Sequence, residues 1–376
     1  MVYLDYSATT QINDEVLDAY VKVSKEYIGN PNSLHSLGVK SKEIIDLATS
    51  QIKDILKVPN HDVIYTSGAS ESNNLALKGI ALKYKNRGTH IITTPLEHSS
   101  VVSPLNYLAQ NGFTIDIVEL NSDGTINIEH LKSLMTDETL IVSVSAVDSE
   151  IGIKQDINSI NKILKDYPKC FFHVDATQAI GKVNIDFNDI DLISFSAHKF
   201  YGPKGIGVLL KKDSIVIEPL IHGGKSTSIY RSGTPTTPLI VSMSKALRLA
   251  NENLNKKISH VKELNDILRD KLSSYYNVHI NSTSNSIPHI LNFSVVGIKP
   301  ETMLHALESY DIFISTKSAC SKNNSMSSSV MAVTKNEEYA NHSLRISLSY
   351  LTTMDEINYF IDKFDECYNK LLLRGE

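Results

Sequence analysis

The chain of 376 residues has few cysteines and no excess of basic charge. Its three cysteines, Cys170, Cys320 and Cys367, lie far apart and form no Cys-x-x-Cys pair. This excludes a disulfide framework and a cysteine-only zinc site, so a functional cysteine is expected to act alone and no resident metal is expected. The formal net charge of −5 argues against an extended nucleic-acid surface, which requires a basic excess.

Long apolar segments and common nucleotide-binding loops are also missing. No run approaches the roughly 18 apolar residues that suggest a membrane-spanning helix, and the start at Met1 lacks the layout of a signal peptide. Neither a Rossmann Gly-x-Gly-x-x-Gly nor a Walker A loop is present. We therefore expect a cytoplasmic protein with no membrane partner and no direct nucleic-acid partner.

Short β-branched runs such as 140–146 alternate with helix-length segments through most of the chain. This alternation predicts an α/β fold with a mainly parallel sheet that helices cover on both faces. Near Pro238 the pattern changes to long helical periodicity, and an α+β region follows. We predict a large domain over 13–250 and a smaller α+β domain formed by 251–376 together with the N-terminal arm, 1–12.

The segment 66–73 is a turn of small residues between a predicted strand and a predicted helix. Backbone N–H groups at such a helix start have no partner within the helix, and the helix dipole favours an anion there. The amides of Ala69 and Ser70 therefore suit a phosphate group. The sequence also allows an ordinary capped helix start.

Asp175 and Lys199 lie at the ends of two later predicted strands. An unpaired carboxylate at the end of an apolar strand is costly, so Asp175 either pairs with a protonated pyridine nitrogen or caps the next turn. Lys199, in Ser196-Ala197-His198-Lys199, suits a Schiff base to a phosphorylated aldehyde cofactor. The phosphate turn, the aspartate and the lysine follow one another at the ends of predicted strands. Such an order is unlikely to arise by chance, and it favours a cofactor site.

Three further residues are candidates for the chemistry. His98 is a catalytic acid/base, a ring stacked on a planar cofactor, or a surface histidine. Arg345 offers a planar fork for a substrate carboxylate, or else forms a structural ion pair. Cys320 lies in a polar segment, which is unusual for a free cysteine and suits a nucleophilic thiolate whose pKa Lys317 lowers.

Motifs along nearly the whole chain resemble those of the cysteine desulfurases. These are pyridoxal-phosphate enzymes of the class V aminotransferase group, with the fold-type I architecture of a large and a small domain. The matching segments are Tyr3 to Thr10, Gly29 to His35, Thr66 to Asn73, Glu97-His98, His173 to Gln178, Ser196 to Lys199, Arg231 to Thr234 and Ser318 to Cys320.

The resemblance implies that most of these motifs hold pyridoxal 5′-phosphate. Lys199 would form the internal aldimine and then move protons, while Asp175 would pair with the pyridine nitrogen. Gln178 would contact the ring hydroxyl, and His98 would stack on the ring as an acid/base. The groups that would hold the phosphate are Ala69, Ser70, Ser196 and His198, with Thr234 from the other subunit of a homodimer.

The remaining motifs imply that the substrate is L-cysteine. Asn30 and Arg345 would bind its carboxylate, and Cys320 would attack its sulfur to leave an enzyme persulfide and alanine. The Ser-Ala-Cys context resembles the subgroup with a long cysteine loop, which passes sulfur to iron–sulfur scaffold or tRNA thiolation proteins. In such a complex Cys320 would also be able to share a cluster transiently with the partner.

One motif departs from the family pattern. Where the family reads Asn-Asn-Glu-Ile-Gly, this chain has Asp148-Ser149-Glu150-Ile151-Gly152. Ser149 takes the place of an Asn that contacts the cofactor ring, and it is too short to do so without a water. Losing one hydrogen bond costs about 0.5–1.5 kcal/mol, so we expect a several-fold lower activity. Two alternatives stay open: a degenerate paralogue that acts as a binding partner, and another class V aminotransferase or lyase, which needs no thiol.

Overall fold

The computed structural model describes residues 1–316 and 326–373, in which strands and helices alternate. The strands are β1 (Val2–Tyr3), β2 (His61–Thr66), β3 (His90–Thr93), β4 (Thr114–Ile117), β5 (Thr139–Ser145), β6 (Phe171–Asp175), β7 (Leu192–Ser196), β8 (Gly207–Lys212), β9 (Val278–Ile280), β10 (Ile290–Val295), β11 (Ile312–Phe313) and β12 (Ser343–Ser347). The helices are α1 (Asp14–Glu26), α2 (Ser36–Leu56), α3 (Ala69–Tyr84), α4 (Ser99–Gln110), α5 (Ile128–Leu134), α6 (Ile157–Leu164), α7 (Thr237–Asn251), α8 (Leu254–Ser273), α9 (Pro300–Glu308), α10 (Ser328–Thr334), α11 (Glu337–Asn341) and α12 (Met354–Leu372).

Seven strands form the central sheet in the spatial order β2-β8-β7-β6-β5-β3-β4. Neighbouring strands from β4 to β7 are parallel, whereas β8 runs antiparallel to both β7 and β2. The β-branched strand β5 is buried along its whole length, as expected for a parallel sheet covered on both faces. The predicted α/β fold with a mainly parallel mixed sheet is confirmed.

Helices pack on both faces of this sheet. On one face α2 and α7 contribute Ile45, Ile52 and Leu247 to a core that also contains Phe195 of β7. On the other face α3 and α4 pack against each other, and Leu77 lies in a second core with side chains of β3, β5 and β7. The carboxyl ends of the parallel strands are left for loops, which is where ligands bind in such sheets.

A separate hydrophobic core lies in the C-terminal part of the chain. The antiparallel sheet β12-β10-β9 packs with α8, α9 and α12 around Phe293 and Phe364. The N-terminal arm joins this core through Val2 and Leu4, and β1 pairs in parallel with β11. The predicted domain limits remain a prediction, but the arm and the C-terminal region share one core.

The long helical periodicity that the sequence shows after Pro238 is interrupted by a turn. α7 ends at Asn251 and α8 begins at Leu254, because Asn253 has a left-handed φ of +54°. Asparagine tolerates this conformation, and helical periodicity alone does not reveal it. Leu247 of α7 lies in the core of the large sheet and Leu264 of α8 in the C-terminal core, so the chain crosses between the cores here.

None of the helices in the described part of the chain is both long and apolar enough to cross a membrane.

Candidate active site

A cavity of about 520 Å³ opens where strands of the central sheet end. The N-terminal arm, the start of α3 and the ends of β5, β6 and β7 contribute to its walls. The predicted site residues that line it are Ala69, Ser70, His98, Ser149, Asp175, Gln178, Ser196, His198, Lys199 and Arg345. Tertiary structure thus brings together side chains that are up to 276 positions apart in the sequence.

Lys199 ends a single 3₁₀ turn that follows β7, and its ammonium group faces the N-terminal arm. Lys199 Nζ donates to the carbonyl oxygens of Ser7, at 2.6 Å, and Ala8, at 2.8 Å. Gln178 Nε2 donates to the same Ser7 oxygen at 2.9 Å. The backbone of the arm therefore orients both side chains, a role that the sequence analysis did not assign to it. In the sequence, the Ser-Ala-Thr-Thr part of the first matching motif is the feature that could have indicated this role of the arm.

Lys182 is a second lysine close to this cavity that the sequence analysis missed. Its Nζ donates to Gln178 Oε1 at 2.5 Å, and the side chain is buried. Burial holds the pKa of Lys182 well below its usual value, and the nearby charges of Lys199 and Arg345 lower it further. Lys182 and the arm together hold both ends of the Gln178 amide.

Asp175 is a buried carboxylate at the end of β6, with 5% of its surface exposed. Its Oδ1 accepts from the amide of Thr177 at 2.9 Å, so the turn-capping role that the sequence allowed is present. Its Oδ2 accepts from Asn73 Nδ2 at 2.8 Å. Among the described residues Asp175 has no salt bridge with a basic side chain. A cationic group in the cavity would therefore complete its environment.

The turn between β2 and α3 leaves backbone donors at the cavity. The first amides of a helix have no acceptor within it, and in the described residues no side chain caps this helix at Gly68. Strand β8 runs close behind the turn: a Cβ on Gly207 would lie 2.6 Å from the carbonyl carbon of Gly68. The glycine thus allows the close approach of β8 to a turn whose residues Ala69 and Ser70 line the cavity, where their amides would suit an anion.

His198 lines the same cavity as the start of α3. Its Nδ1 lies 3.1 Å from Thr9 Oγ1 of the N-terminal arm. Burial lowers the pKa of His198 to about 4, and Lys199 and Lys204 add to the effect. Neutral His198 can donate a hydrogen bond to a bound anion, while the two lysines supply positive charge.

Arg345 lies in β12 with 2% of its surface exposed. Nη2 pairs with Asp5 Oδ1 at 2.7 Å, and Nη1 donates to the Ser149 carbonyl at 2.9 Å. Nε has no partner in the described residues. The structural ion pair that the sequence allowed is therefore present, and Nε is the guanidinium nitrogen that it leaves without a partner among the described residues.

Asp148 and Ser149 occupy different environments. Ser149 lines the cavity, but the Asp148 carboxylate binds the amides of Glu150 and Ile151, at 3.0 and 2.5 Å, and Ser329 Oγ at 3.0 Å. Burial, together with the negative charge of neighbouring Glu150, raises the pKa of Asp148 to about 6. Asp148 thus organises this turn and its contact with α10.

Comparisons with known proteins place these features in a family. The model of the class V aminotransferases matches residues 2–360 of this chain. The chain belongs to the class V aminotransferase family. One member, cysteine desulfurase IscS of Buchnera aphidicola subsp. Baizongia pistaciae, is 40% identical over 380 residues that cover 98% of this chain and 93% of that protein.

Solved structures of class V aminotransferase relatives give the same result. A NifS-like protein superposes with a TM-score of 0.92 at 34% identity, covering 98% of this chain and 99% of that one. SspA in complex with cysteine superposes with a TM-score of 0.80 at 30% identity, covering 94% and 100%. The predictions of the family, of the fold-type I architecture and of pyridoxal phosphate as cofactor are confirmed.

The residues of this class V aminotransferase fit that cofactor. Asp175 would supply a buried anion for a protonated pyridine nitrogen, and the amides at the start of α3 would supply phosphate donors. The buried hydroxyl of Thr177, which lines the cavity, has no hydrogen-bond partner in the described residues. A ligand in the cavity would give it one.

Two predicted site residues, Asn30 and Thr234, do not line the main cavity. Asn30 and Thr234 are exposed and line a second cavity of about 340 Å³ instead of the main one, with Tyr20 and Tyr27. Cys320 lies outside the described residues. Within the described parts of the chain no group of three or more His, Cys, Asp or Glu side chains is placed to hold a metal ion.

Proposed function

We propose that this enzyme is a pyridoxal-phosphate-dependent cysteine desulfurase. It converts L-cysteine to L-alanine and holds the sulfur as a persulfide on Cys320 before passing it to an acceptor protein for iron–sulfur cluster assembly or tRNA thiolation. The observation that carries the proposal is one cavity lined by Lys199, the buried carboxylate of Asp175 and Arg345. A cytoplasmic location remains part of the prediction from the sequence.

Each cavity residue has a task toward the cofactor. When bound, pyridoxal phosphate acts as an electron sink for negative charge on the substrate carbon next to the amino group. Asp175 would hold the pyridine nitrogen protonated, and Gln178, oriented by Lys182 and the Ser7 carbonyl, would contact the ring hydroxyl. Ala69 and Ser70 amides, Ser196 and His198 would hold the phosphate.

Arg345 would bind the carboxylate of the substrate. Its two terminal nitrogens are held by Asp5 and by the Ser149 carbonyl, which orients the guanidinium plane. The guanidinium has five N–H groups and these two contacts use two of them, so donors remain for the incoming carboxylate. Lys199 would move a proton at the substrate carbon, and the Cys320 thiolate would take the sulfur.

A homodimer would account for the position of Asn30 and Thr234 outside the main cavity. Large apolar side chains are exposed along 17–37, and such patches mark interfaces; they are Leu17, Val21, Ile28, Leu34 and Leu37. Asn30 lies within this stretch and lines the second cavity with Thr234. A second copy of the chain covering this surface would bring Thr234 toward the phosphate of the neighbouring site.

The test is alanine and sulfide production from L-cysteine by the purified protein with its cofactor. We expect alanine formation to disappear in Cys320→Ala and Lys199→Ala, and to persist in Cys170→Ala, which removes a buried thiol far from the cavity. Alanine formation that survives Cys320→Ala would refute the persulfide mechanism and favour another class V activity. Bound cofactor without any alanine would favour the degenerate paralogue, and Ser149→Asn should then restore turnover.

A further inference from the structure

Two polar side chains link Asp175 to His98. Asn73 of α3 has none of its surface exposed, and its Nδ2 lies 2.8 Å from Asp175 Oδ2 and 2.9 Å from Ser100 Oγ. Ser100 Oγ lies 2.8 Å from His98 Nδ1, and the Ser100 backbone nitrogen lies 3.1 Å from the same ring nitrogen. The four residues form a continuous chain of hydrogen bonds from the end of β6 to the start of α4.

The direction of each bond follows from the carboxylate at one end. An ionised carboxylate only accepts, so the Asn73 atom that faces Asp175 must be the amide nitrogen. The same nitrogen faces Ser100, so the Ser100 oxygen accepts there and its own hydrogen is left to donate to His98 Nδ1. The Ser100 backbone N–H donates to that nitrogen as well. Two donors therefore meet at Nδ1.

We propose that Asn73 and Ser100 are positioning residues that hold neutral His98 with its proton on Nε2. A ring nitrogen that accepts two hydrogen bonds carries no proton, and the neutral ring then has its proton on the other nitrogen. His98 therefore presents a hydrogen-bond donor to the cavity. It cannot take up a proton at Nδ1 while both donors are in place.

The burial of His98 favours its neutral form. Burial lowers the pKa of His98 and the charge of Lys199 lowers it further, while Asp175 and Glu150 act in the opposite direction. A neutral histidine that polarises a substrate through a donated N–H is a known catalytic arrangement. In the proposed reaction, on which this consequence rests, His98 would donate a hydrogen bond and Lys199 would act as the base.

The first test reads the tautomer without cofactor or turnover. Protein labelled with ¹⁵N-histidine is examined by NMR through the pH range, and His98→Gln identifies the His98 signals. We expect an unprotonated Nδ1 and a protonated Nε2 at neutral pH. In Ser100→Ala one donor to the neutral ring is lost, so the His98 pKa should rise by about 0.5–1 unit. The matched control is Ser99→Ala, an exposed serine one position earlier, which should leave the signals unchanged.

Asn73→Leu removes the amide that holds Ser100 Oγ as an acceptor. The Ser100 hydroxyl is then no longer restricted to donating to His98 Nδ1, so the His98 titration should move toward that of Ser100→Ala. If this variant does not fold, the Ser100→Ala titration still tests the His98 tautomer. Nδ1 protonated in the unmodified protein, or a Ser100→Ala titration that coincides with that of Ser99→Ala, would overturn the assignment.

The second test separates a donor from a base in the holoenzyme. Glutamine at position 98 keeps an N–H donor but takes up no proton, whereas leucine offers neither. We expect kcat/KM of His98→Gln to stay within about tenfold of the unmodified enzyme and that of His98→Leu to fall by about 10²–10³. Equal losses in both variants would refute the donor role. If no alanine forms in any variant, the proposed function fails and the NMR result stands on its own.

Discussion

Replacing Asp175 by Asn tests whether the buried carboxylate binds the cofactor ring. Asp175 is 5% exposed and its oxygens accept from two neutral donors, the Thr177 amide and Asn73 Nδ2. Asparagine is similar in size and still accepts from Thr177, but it cannot carry the negative charge that a protonated pyridine nitrogen requires. The charge-assisted bond is worth about 1.5–3 kcal/mol. At 1.36 kcal/mol per tenfold change, Asp175→Asn should weaken cofactor binding by about 10- to 150-fold.

Titrating the cofactor-free protein with pyridoxal phosphate, followed by absorbance, measures this directly. Asp213→Asn removes the same charge at an exposed turn after β8 and should leave the affinity unchanged. Because the carboxylate also sets the direction of the Asn73 amide, Asp175→Asn should disturb the His98 ¹⁵N signals as well. An affinity within threefold of the unmodified protein would mean that the carboxylate serves only to cap its turn.

Three further predictions concern the other polar groups of the site. The pKa of Asp148 is raised to about 6, above its unfolded value, so this group lowers the free energy of unfolding as pH rises from about 4 to 6. In urea unfolding, the free energy of unfolding of Asp148→Asn relative to that of the unmodified protein should therefore increase by about 1–3 kcal/mol between pH 4 and pH 7. If the difference between the two free energies does not change with pH, this prediction is wrong. The pKa of Lys182 is depressed in the folded protein, so the unfolded chain binds its proton more tightly and the stability of the fold should rise with pH up to about 10.5. In thermal unfolding, Lys182→Met should make this rise of stability with pH smaller. Arg345→Lys keeps the charge but loses the fork held by Asp5, so KM for cysteine should rise by about 10-fold or more with a smaller change in kcat, and an unchanged KM would exclude carboxylate binding there.

Much of the fold was predictable because local patterns determine it. The β-branched run at 140–146 appears as the buried strand β5, Thr139–Ser145, in the centre of the sheet. The α+β region predicted over 251–376 contains strands such as β12 and helices such as α12. The turn at Asn253 was missed, since one left-handed residue does not interrupt an apolar periodicity.

The predicted site residues mostly share one cavity, because strand ends of a parallel sheet meet at one edge. The two alternatives left open for Asp175 and for Arg345 prove compatible: Asp175 caps its turn and still faces the cavity, and Arg345 pairs with Asp5 and still has Nε unpartnered. A pattern in the sequence cannot reveal this, since each side chain has several polar atoms with separate partners.

The sequence by itself determined the family, the sheet and the order of the cofactor motifs, because these depend on residue type and local spacing. Only the tertiary structure decided what the polar groups do to one another. It places the Ser7 and Ala8 carbonyls on Lys199, turns Asp148 toward Ser329, and connects Asp175 to His98 through Asn73 and Ser100. The physical reason is that the direction of a hydrogen bond depends on which donor and acceptor meet, and these partners lie on separate elements that only folding brings together.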